Sequence, residues 1–185
     1  MMLRILDMVF AGFGLIVAMP LMALLYLVGL LDTGAPLFRQ TRVGRFQQPF
    51  TIVKFRTMLL DTASVATHLA NPSAVTTFGA FLRRTKLDEL PQLWNVLKGE
   101  MSLVGPRPCL LSQSELIEER AARGVFDARP GITGLAQING IDMSIPNLLS
   151  ETDAQMLKGL GVAAYFTYII KTVTGAGRGD RIRKE

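Results

Sequence analysis

The sequence is poor in the residues that most thiol, zinc and triad sites require: it has one cysteine and one histidine among 185 residues. Cys109 has no disulfide partner within the chain, and a zinc site built from Cys and His has almost no ligands. A Ser-His-Asp triad could use only His68. Disorder is excluded because 49% of the residues are hydrophobic. Any chemistry must therefore use carboxylates, hydroxyls, lysines or arginines, with a hard metal ion if one is needed.

Charge is absent from one long segment near the N-terminus. No charged residue occurs between Asp7 and Asp32. As a helix, the 24 residues from Met8 to Leu31 would reach about 36 Å, slightly more than the hydrocarbon core of a bilayer. A cleaved signal peptide is the alternative, but the run exceeds the usual apolar region and no A-x-A-like site follows it. The pattern predicts a membrane-inserted helix within residues 1–36.

Pro20 lies in the middle of this run and predicts a kink near Met19, because proline removes a helical hydrogen bond and clashes with the preceding turn. The kinked helix could span the membrane, or it could be re-entrant and leave on the face it entered. The next segment contains basic residues and no acid before Asp61. They are Arg39, Arg42, Arg45, Lys54 and Arg56. By the positive-inside tendency, the domain formed by residues 37–185 is cytoplasmic.

The net charge is +5 and the mean hydropathy is +0.32. This combination of basic charge and apolar composition indicates a membrane surface, rather than nucleic acid, as the partner. No basic recognition helix and no basic stripe interleaved with aromatic residues is apparent, so we expect no nucleic-acid partner.

Residues 37–185 have the pattern of a compact α+β domain that is mostly α, with a small β-hairpin. Alternation predicts strands at Leu37–Val43 and Pro49–Thr57, joined by a turn. Helical periodicity and breakers predict four helices, at Phe78–Arg84, Leu87–Lys98, Leu110–Arg123 and Asp153–Val173. The last helix and the basic tail from Gly177 to Lys184 could lie in the membrane interface, or the helix could pack in the core.

Two adjacent carboxylates, Asp88 and Glu89, are predicted to open the second of these helices. Pro91 is tolerated there because amides of the first helical turn have no intrahelical partner. A plain capping role is the alternative, since Thr85-x-x-Asp88 approximates a capping box.

Basic residues surround this acidic pair in sequence. Arg83, Arg84 and Lys86 precede it, and Arg107 follows between two prolines. A carboxylate needs no such cations merely to cap a helix. Handling a diphosphate does require arginine forks, so the pattern favours a phosphate-handling site over capping.

Four ordered motifs resemble the bacterial sugar transferase family, small monotopic phosphoglycosyl transferases that start surface-glycan assembly. The motifs are Lys54-Phe55-Arg56-Thr57-Met58, the segment Leu87 to Gly99 reading LDELPQLWNVLKG, the segment Ser102 to Pro108 reading SLVGPRP, and the segment Arg129 to Gly134 reading RPGITG.

The resemblance implies transfer of a phosphosugar from a UDP-sugar to a polyprenol phosphate such as undecaprenyl phosphate, with release of UMP. It implies Asp88 as the nucleophile of an aspartyl-phosphosugar intermediate and Glu89 as a ligand of Mg²⁺. Arg83, Arg107 and Arg129 would contact phosphate, and Lys54 is a further candidate. A noncatalytic membrane-surface scaffold is the alternative, although it leaves the acidic pair and Arg107 unexplained.

The resemblance also implies the bacterial inner membrane, a cytoplasmic catalytic domain and a re-entrant helix. The family commonly has serine before the membrane-segment proline, whereas this chain has Met19, so the re-entrant topology has less local support. Trp94 is predicted to lie in the core, and the turn cluster at Gly131 is explained by tight turns. The segment from Ile141 to Leu160 looks least like the family and bears on the choice of sugar, which the sequence does not specify.

Overall fold

The computed structural model describes residues 2–62 and 72–175, so His68 and the basic tail from Gly177 to Lys184 lie outside the described residues. The helices are α1 Met2–Thr33, α2 Thr77–Thr85, α3 Gln92–Lys98, α4 Ser114–Ala122, α5 Leu135–Ile138, α6 Pro146–Lys158 and α7 Val162–Val173. The strands are β1 Leu37–Val43, β2 Pro49–Phe55, β3 Ser102–Val104 and β4 Gly131–Thr133. The predicted α+β class, mostly α with a small hairpin, is confirmed.

Helix α1 contains the charge-free run and is long and apolar enough to cross a membrane, by length and composition. It remains helical through Met19 and Pro20, so the chain does not leave the helical conformation at the proline. Much of its apolar surface is exposed, as at Ile16 and Leu31.

Both halves of α1 nevertheless contact the rest of the protein. In the first half, Ala11 is fully buried in a cluster with Val96 of α3. In the second half, Leu25 is buried with Phe55 of β2 and Leu82 of α2. The helix therefore packs on one body at two separated positions.

Asp7 fixes the N-terminal half of α1. Its side chain is 3% exposed, and its Oδ1 accepts hydrogen bonds from the Ser102 hydroxyl, the Leu103 amide and the Tyr165 hydroxyl, each at 2.9 Å. A buried carboxylate needs such donors. Asp7 thus joins α1 to β3 and α7, which sequence analysis did not anticipate.

Strands β1 and β2 form the predicted antiparallel hairpin, in the register Leu37↔Phe55 to Val43↔Pro49. Strand β2 ends at Phe55, two residues before the predicted end. The connection is a 3₁₀ turn at Arg45–Gln47, where Phe46 and Gln47 have positive φ angles. The hairpin brings Lys54 opposite Phe38, close to the open end of the ladder.

The predicted helix over Leu87–Lys98 forms in two pieces, so its continuity was wrong. Leu87–Glu89 is a 3₁₀ turn, and α3 begins at Gln92 with Pro91 as its N-cap residue. Proline has no amide to continue the hydrogen-bond ladder, which explains a restart at this point. The prediction of a core Trp94 was also wrong: this side chain is 57% exposed, because α3 buries its opposite face.

The predicted helix Asp153–Val173 is likewise two helices, α6 and α7. Gly159 and Gly161 flank the break, and Gly161 is extended, with φ −112° and ψ −176°. Two glycines within three residues weaken a helix strongly enough to end it. The helix predicted at Leu110–Arg123 forms as the shorter α4, and that predicted at Phe78–Arg84 forms as α2.

Candidate active site

The acidic pair lies in the 3₁₀ turn between α2 and α3. Lys86 ends α2 in the left-handed conformation, with φ 58°, and its amide donates to the carbonyls of Arg83 and Leu82. The Thr85 hydroxyl donates back to carbonyls of α2, at 2.9 Å and 3.1 Å. Thr85 therefore belongs to the end of α2, and the capping-box alternative for Asp88 was wrong.

Asn95 holds α3 against β2. Its amide nitrogen donates to the Thr51 carbonyl at 2.8 Å, and its oxygen accepts from the Val53 amide at 3.3 Å. The side chain is 1% exposed, so these bonds form away from water. They fix the position of the acidic turn relative to Lys54 of β2, a role for Asn95 that sequence analysis missed.

Asp88 is buried among charges of both signs. Only 7% of the surface of this residue is exposed. Burial and the neighbouring Glu89 carboxylate raise the pKa of Asp88 to about 7, against the opposing effects of Lys54, Arg107 and Arg83. Perturbed carboxylates of this kind cluster at functional sites.

Glu89 and Arg107 form an ion pair of 3.1 Å between Glu89 Oε1 and Arg107 Nη1. Both side chains are largely but not completely buried. The pair links the acidic turn to the Pro106-Arg107-Pro108 loop, so residues distant in sequence meet at one site.

Arg83 and Lys54 complete the cationic surroundings. Arg83 lies in the last turn of α2, and its Nε donates to the Thr57 hydroxyl at 2.8 Å. The Lys54 ammonium lies 5.6 Å from the centre of the Phe38 ring, within range of a cation–π contact. The structure therefore brings five predicted residues together: Asp88, Glu89, Lys54, Arg83 and Arg107.

Arg129 lies in a different electrostatic environment. Its Nε donates to the Gly99 carbonyl at 2.8 Å, beyond the end of α3. Burial and the nearby Arg4 and Arg45 lower its pKa. Arg129 is not among the charges that act on Asp88, so its role as a phosphate contact stays a prediction from the resemblance.

The loop that presents Arg107 has no helix or strand over 105–109, and prolines remove two of its amide donors. Four successive carbonyls of the loop each accept a hydrogen bond from another segment. The pairs are Pro106 with the Gly131 amide, Arg107 with Arg120 Nη1, Pro108 with Arg42 Nη1, and Cys109 with the Val43 amide. Its carbonyls therefore fix this loop.

Gly131 does more than make a turn. It lies in β4, which pairs in parallel with β3, and a Cβ at this position would lie 2.0 Å from the Gly105 amide nitrogen. The two backbones can approach so closely only because both residues are glycine. The prediction that tight turns suffice to explain Gly131 was therefore wrong, and the contact sets the start of the Arg107 loop.

The acidic pair could hold a magnesium ion. Carboxylate oxygens are the ligands that Mg²⁺ prefers, and the ion is usually bound through one or two of them with waters and substrate phosphates. No group of three or more metal-ligating side chains occurs in the part of the chain that the structure describes. Glu89 thus fits as a ligand of an ion that waters and a bound diphosphate would help to hold.

The fold and site define an α+β protein with an apolar N-terminal helix and a buried carboxylate among cations. A family model described as "Bacterial sugar transferase" matches residues 1–178. The chain therefore belongs to the bacterial sugar transferase family.

Several curated relatives are similar over much of this chain. A UDP-glucose:undecaprenyl-phosphate glucose-1-phosphate transferase of Caulobacter vibrioides is 46% identical, over 75% of this chain and 54% of its own length. The Escherichia coli protein of the same name is 45% identical, over 72% of this chain and 30% of its own. The exopolysaccharide production protein ExoY of Rhizobium meliloti is 36% identical, over 92% of this chain and 83% of its own. Against several other relatives the matched part is about a third to a half of their length.

Proposed function

We propose that this protein is a polyprenol-phosphate sugar-1-phosphate transferase, a phosphoglycosyl transferase that acts in the first membrane step of bacterial surface-glycan assembly. The observation that carries the proposal is the buried Asp88 carboxylate with Lys54, Arg83 and Arg107 around it. A dianionic diphosphate would neutralise those cations, and the carboxylate would then face a phosphorus atom.

Asp88 is the nucleophile in this mechanism. One carboxylate oxygen forms a bond to the sugar-bearing phosphorus of a UDP-sugar, and the bond from that phosphorus to the bridging oxygen breaks. UMP leaves with the electron pair. An oxygen of the polyprenol phosphate then attacks the same phosphorus, the bond to Asp88 breaks, and a polyprenyl diphosphate sugar is released. Splitting the transfer lets two bulky substrates use one site in turn.

Glu89 is the candidate ligand of Mg²⁺, which when bound would supply positive charge to the diphosphate and to the leaving UMP. Arg107 is paired with Glu89 and is therefore placed to bind a phosphate oxygen beside the ion. Arg83 and Lys54 approach from α2 and β2 and hold further negative charge.

The substrate class rests on the relatives. Two of them are named as transferases of glucose 1-phosphate from UDP-glucose to undecaprenyl phosphate, and a Salmonella typhimurium relative, 38% identical, as an undecaprenyl-phosphate galactose phosphotransferase. These names differ in the sugar and agree on the lipid. We therefore propose a UDP-sugar and undecaprenyl phosphate as substrates and leave the sugar to experiment.

The decisive experiment measures UMP release by the purified, lipid-reconstituted protein with Mg²⁺, undecaprenyl phosphate and a panel of UDP-sugars. The Asp88→Asn variant is run in parallel, with Asp61→Asn as a matched control because Asp61 is exposed. We expect one UDP-sugar to give UMP, Asp88→Asn to be silent and the control to be active. Normal turnover by Asp88→Asn would show that Asp88 is not the nucleophile and would refute the mechanism.

Omitting the lipid acceptor tests the covalent step. With UDP-sugar alone, the protein should gain the mass of one phosphosugar, on the peptide that contains Asp88, and release one equivalent of UMP. Single-step transfer instead requires the lipid for any UMP release and leaves the protein mass unchanged.

We also propose that α1 is re-entrant and that the catalytic domain lies on the cytoplasmic face of the inner membrane. A straight helix of 32 residues would be about 48 Å long, so a spanning helix would carry one end far from the domain. Contacts from Asp7 and from Leu25 to the same domain support re-entry.

Cysteine accessibility tests this topology. In a Cys109→Ala background, single cysteines at Met2 and Thr33 are labelled with an impermeant thiol reagent in intact cells and in inverted vesicles. We expect both positions to react only from the cytoplasmic side. Labelling from opposite sides would establish a spanning helix.

A further inference from the structure

Arg107 is held through its backbone as well as through its side chain. The Arg107 carbonyl accepts a hydrogen bond from Arg120 Nη1 at 2.8 Å, while the Arg107 side chain pairs with Glu89. Because the flanking prolines donate no amide hydrogen bonds, the carbonyls are the main points at which the loop can be fixed. The hydrogen bond from Arg120 thus fixes an oxygen that is two covalent bonds from the Arg107 Cα, which carries the Arg107 side chain.

Arg120 is an unusual residue to find in this position. It lies on α4, is 1% exposed, and pairs with Asp153 of α6, which is 0% exposed. Its Nε and Nη2 donate to Asp153 Oδ2 at 3.1 Å and 2.7 Å. Burying two charges costs much of what their attraction returns, and apolar side chains of similar volume often stabilise a core equally well. Stability alone therefore does not explain this pair.

The geometry of the guanidinium explains why arginine is suited to the position. Two of its nitrogens face the Asp153 carboxylate and the third faces the Arg107 carbonyl. A planar fork can hold all three hydrogen bonds at once, whereas a lysine ammonium has a single nitrogen on a flexible stem. Asp153 fixes the plane of the fork, and the fork fixes the loop.

We propose that Arg120 is a positioning residue for the reaction: through the Arg107 carbonyl it sets the Arg107 guanidinium against Glu89, and Asp153 holds Arg120 in place. Arg120 itself touches no substrate in this scheme. The catalytic part of the inference rests on the proposed function, because it requires Arg107 to contact the diphosphate. The structural part does not, and it can be measured without turnover.

The test variant is the double substitution Arg120→Met with Asp153→Leu, which removes both charges and fills the core with side chains of similar size. Arg123→Met is the matched control, since Arg123 lies three residues further along the chain and forms its ion pairs with Glu119 and Glu151 at the surface. Thermal unfolding establishes that both variants are folded before any other comparison.

The first readout is the rate at which phenylglyoxal modifies Arg107, followed by peptide mass spectrometry in the absence of substrate. We expect the double variant to react severalfold faster at Arg107, because the loop no longer holds this side chain in its ion pair. The control should react at the wild-type rate. An unchanged rate at Arg107 in the folded double variant would overturn the proposal, whether or not the protein is a transferase.

The second readout is a double-mutant cycle in activity. Loss of positioning should lower kcat/KM for the UDP-sugar between about tenfold and a hundredfold, since small misplacements of binding groups cost that much. In an Arg107→Ala background the same double substitution should change kcat/KM less than twofold, because Arg107 is then no longer there to position.

Equal losses in the two backgrounds would show that Arg120 acts on stability alone and would overturn the positioning role. Absence of turnover by the wild-type protein with every UDP-sugar is a different result. It would refute the proposed function, while the modification rate of Arg107 would still decide whether Arg120 positions the loop.

Discussion

Asp88 and Asp153 are both buried aspartates with arginine nearby, yet their environments differ in kind. Asp153 receives two N–H groups of Arg120 on one oxygen, in a pair that is inaccessible to water. Asp88 lies beside a second carboxylate, Glu89, and the surrounding cations offset only part of the cost of its charge. Burial raises the pKa of both carboxyls, but Arg120 opposes the shift at Asp153, whereas the Glu89 carboxylate adds to it at Asp88. The comparison separates a carboxylate that pairs with one arginine in the core from one that shares its site with a second carboxylate.

The largest predicted effect is a loss of folding stability when Asp153 is replaced. Asp153→Asn should lower the free energy of unfolding by about 3–5 kcal/mol, because it leaves the buried Arg120 charge uncompensated. Denaturant unfolding of the detergent-solubilised variant, followed by circular dichroism, measures the change. The double variant Arg120→Met with Asp153→Leu serves as the control and should lose much less. A small loss in Asp153→Asn would mean that water or another group can neutralise Arg120.

Asp88→Asn should instead raise the free energy of unfolding at neutral and alkaline pH. The pKa of Asp88 is raised from 3.8 to about 7, so the folded state prefers the neutral carboxyl. That preference stabilises the wild-type protein fully below about pH 4, and it is lost as the pH rises through about 7. An uncharged asparagine avoids the loss. At pH 8 the variant should be more stable than the wild type by on the order of 4 kcal/mol, since each pKa unit of the shift is worth about 1.4 kcal/mol.

Thermal unfolding across pH 4 to 8, without Mg²⁺ or substrate, measures this effect. The difference between Asp88→Asn and wild type should grow with pH and level off above about pH 8. Asp61→Asn provides the baseline for an exposed carboxylate. A variant that is less stable than the wild type at pH 8 would place Asp88 in the same class as Asp153.

Local sequence patterns were sufficient to predict which residues lie around the acidic pair. Asp88 and Glu89 are adjacent, Arg83 lies five residues before Asp88, and Arg107 is marked by its flanking prolines. The hairpin that presents Lys54 follows from alternation alone. Helix ends were harder, because Pro91 and the pair Gly159 and Gly161 interrupt stretches whose apolar periodicity continues across them.

The contacts that hold the site together could not be predicted, because each joins positions far apart in the chain. Asp7 reaches Tyr165 across 158 positions, and Arg120 reaches Asp153 across 33. Gly131 gave a turn signal, but its close approach to Gly105 depends on the parallel pairing of two short strands. The sequence alone does not distinguish a buried charged residue from an exposed one, because its partner is distant in the chain.

Asp7 provides a third buried aspartate and the smallest predicted effect. Its Oδ1 is satisfied by three donors, of which the Tyr165 hydroxyl is one. Tyr165→Phe removes that single donor and leaves two, so the free energy of unfolding should fall by about 1 kcal/mol. Circular dichroism of the variant during denaturant unfolding measures the loss.

Tyr168→Phe is the control for this last change, since Tyr168 is on the same helix and its hydroxyl makes no hydrogen bond in the described part of the chain. It should be neutral within a few tenths of a kcal/mol. A loss in Tyr165→Phe as large as that in Asp153→Asn would show that Asp7, like Asp153, depends on one dominant partner. A loss near 1 kcal/mol instead means that Asp7 keeps α1 in place through its remaining partners, which are the Ser102 hydroxyl, the Leu103 amide and the Arg4 guanidinium.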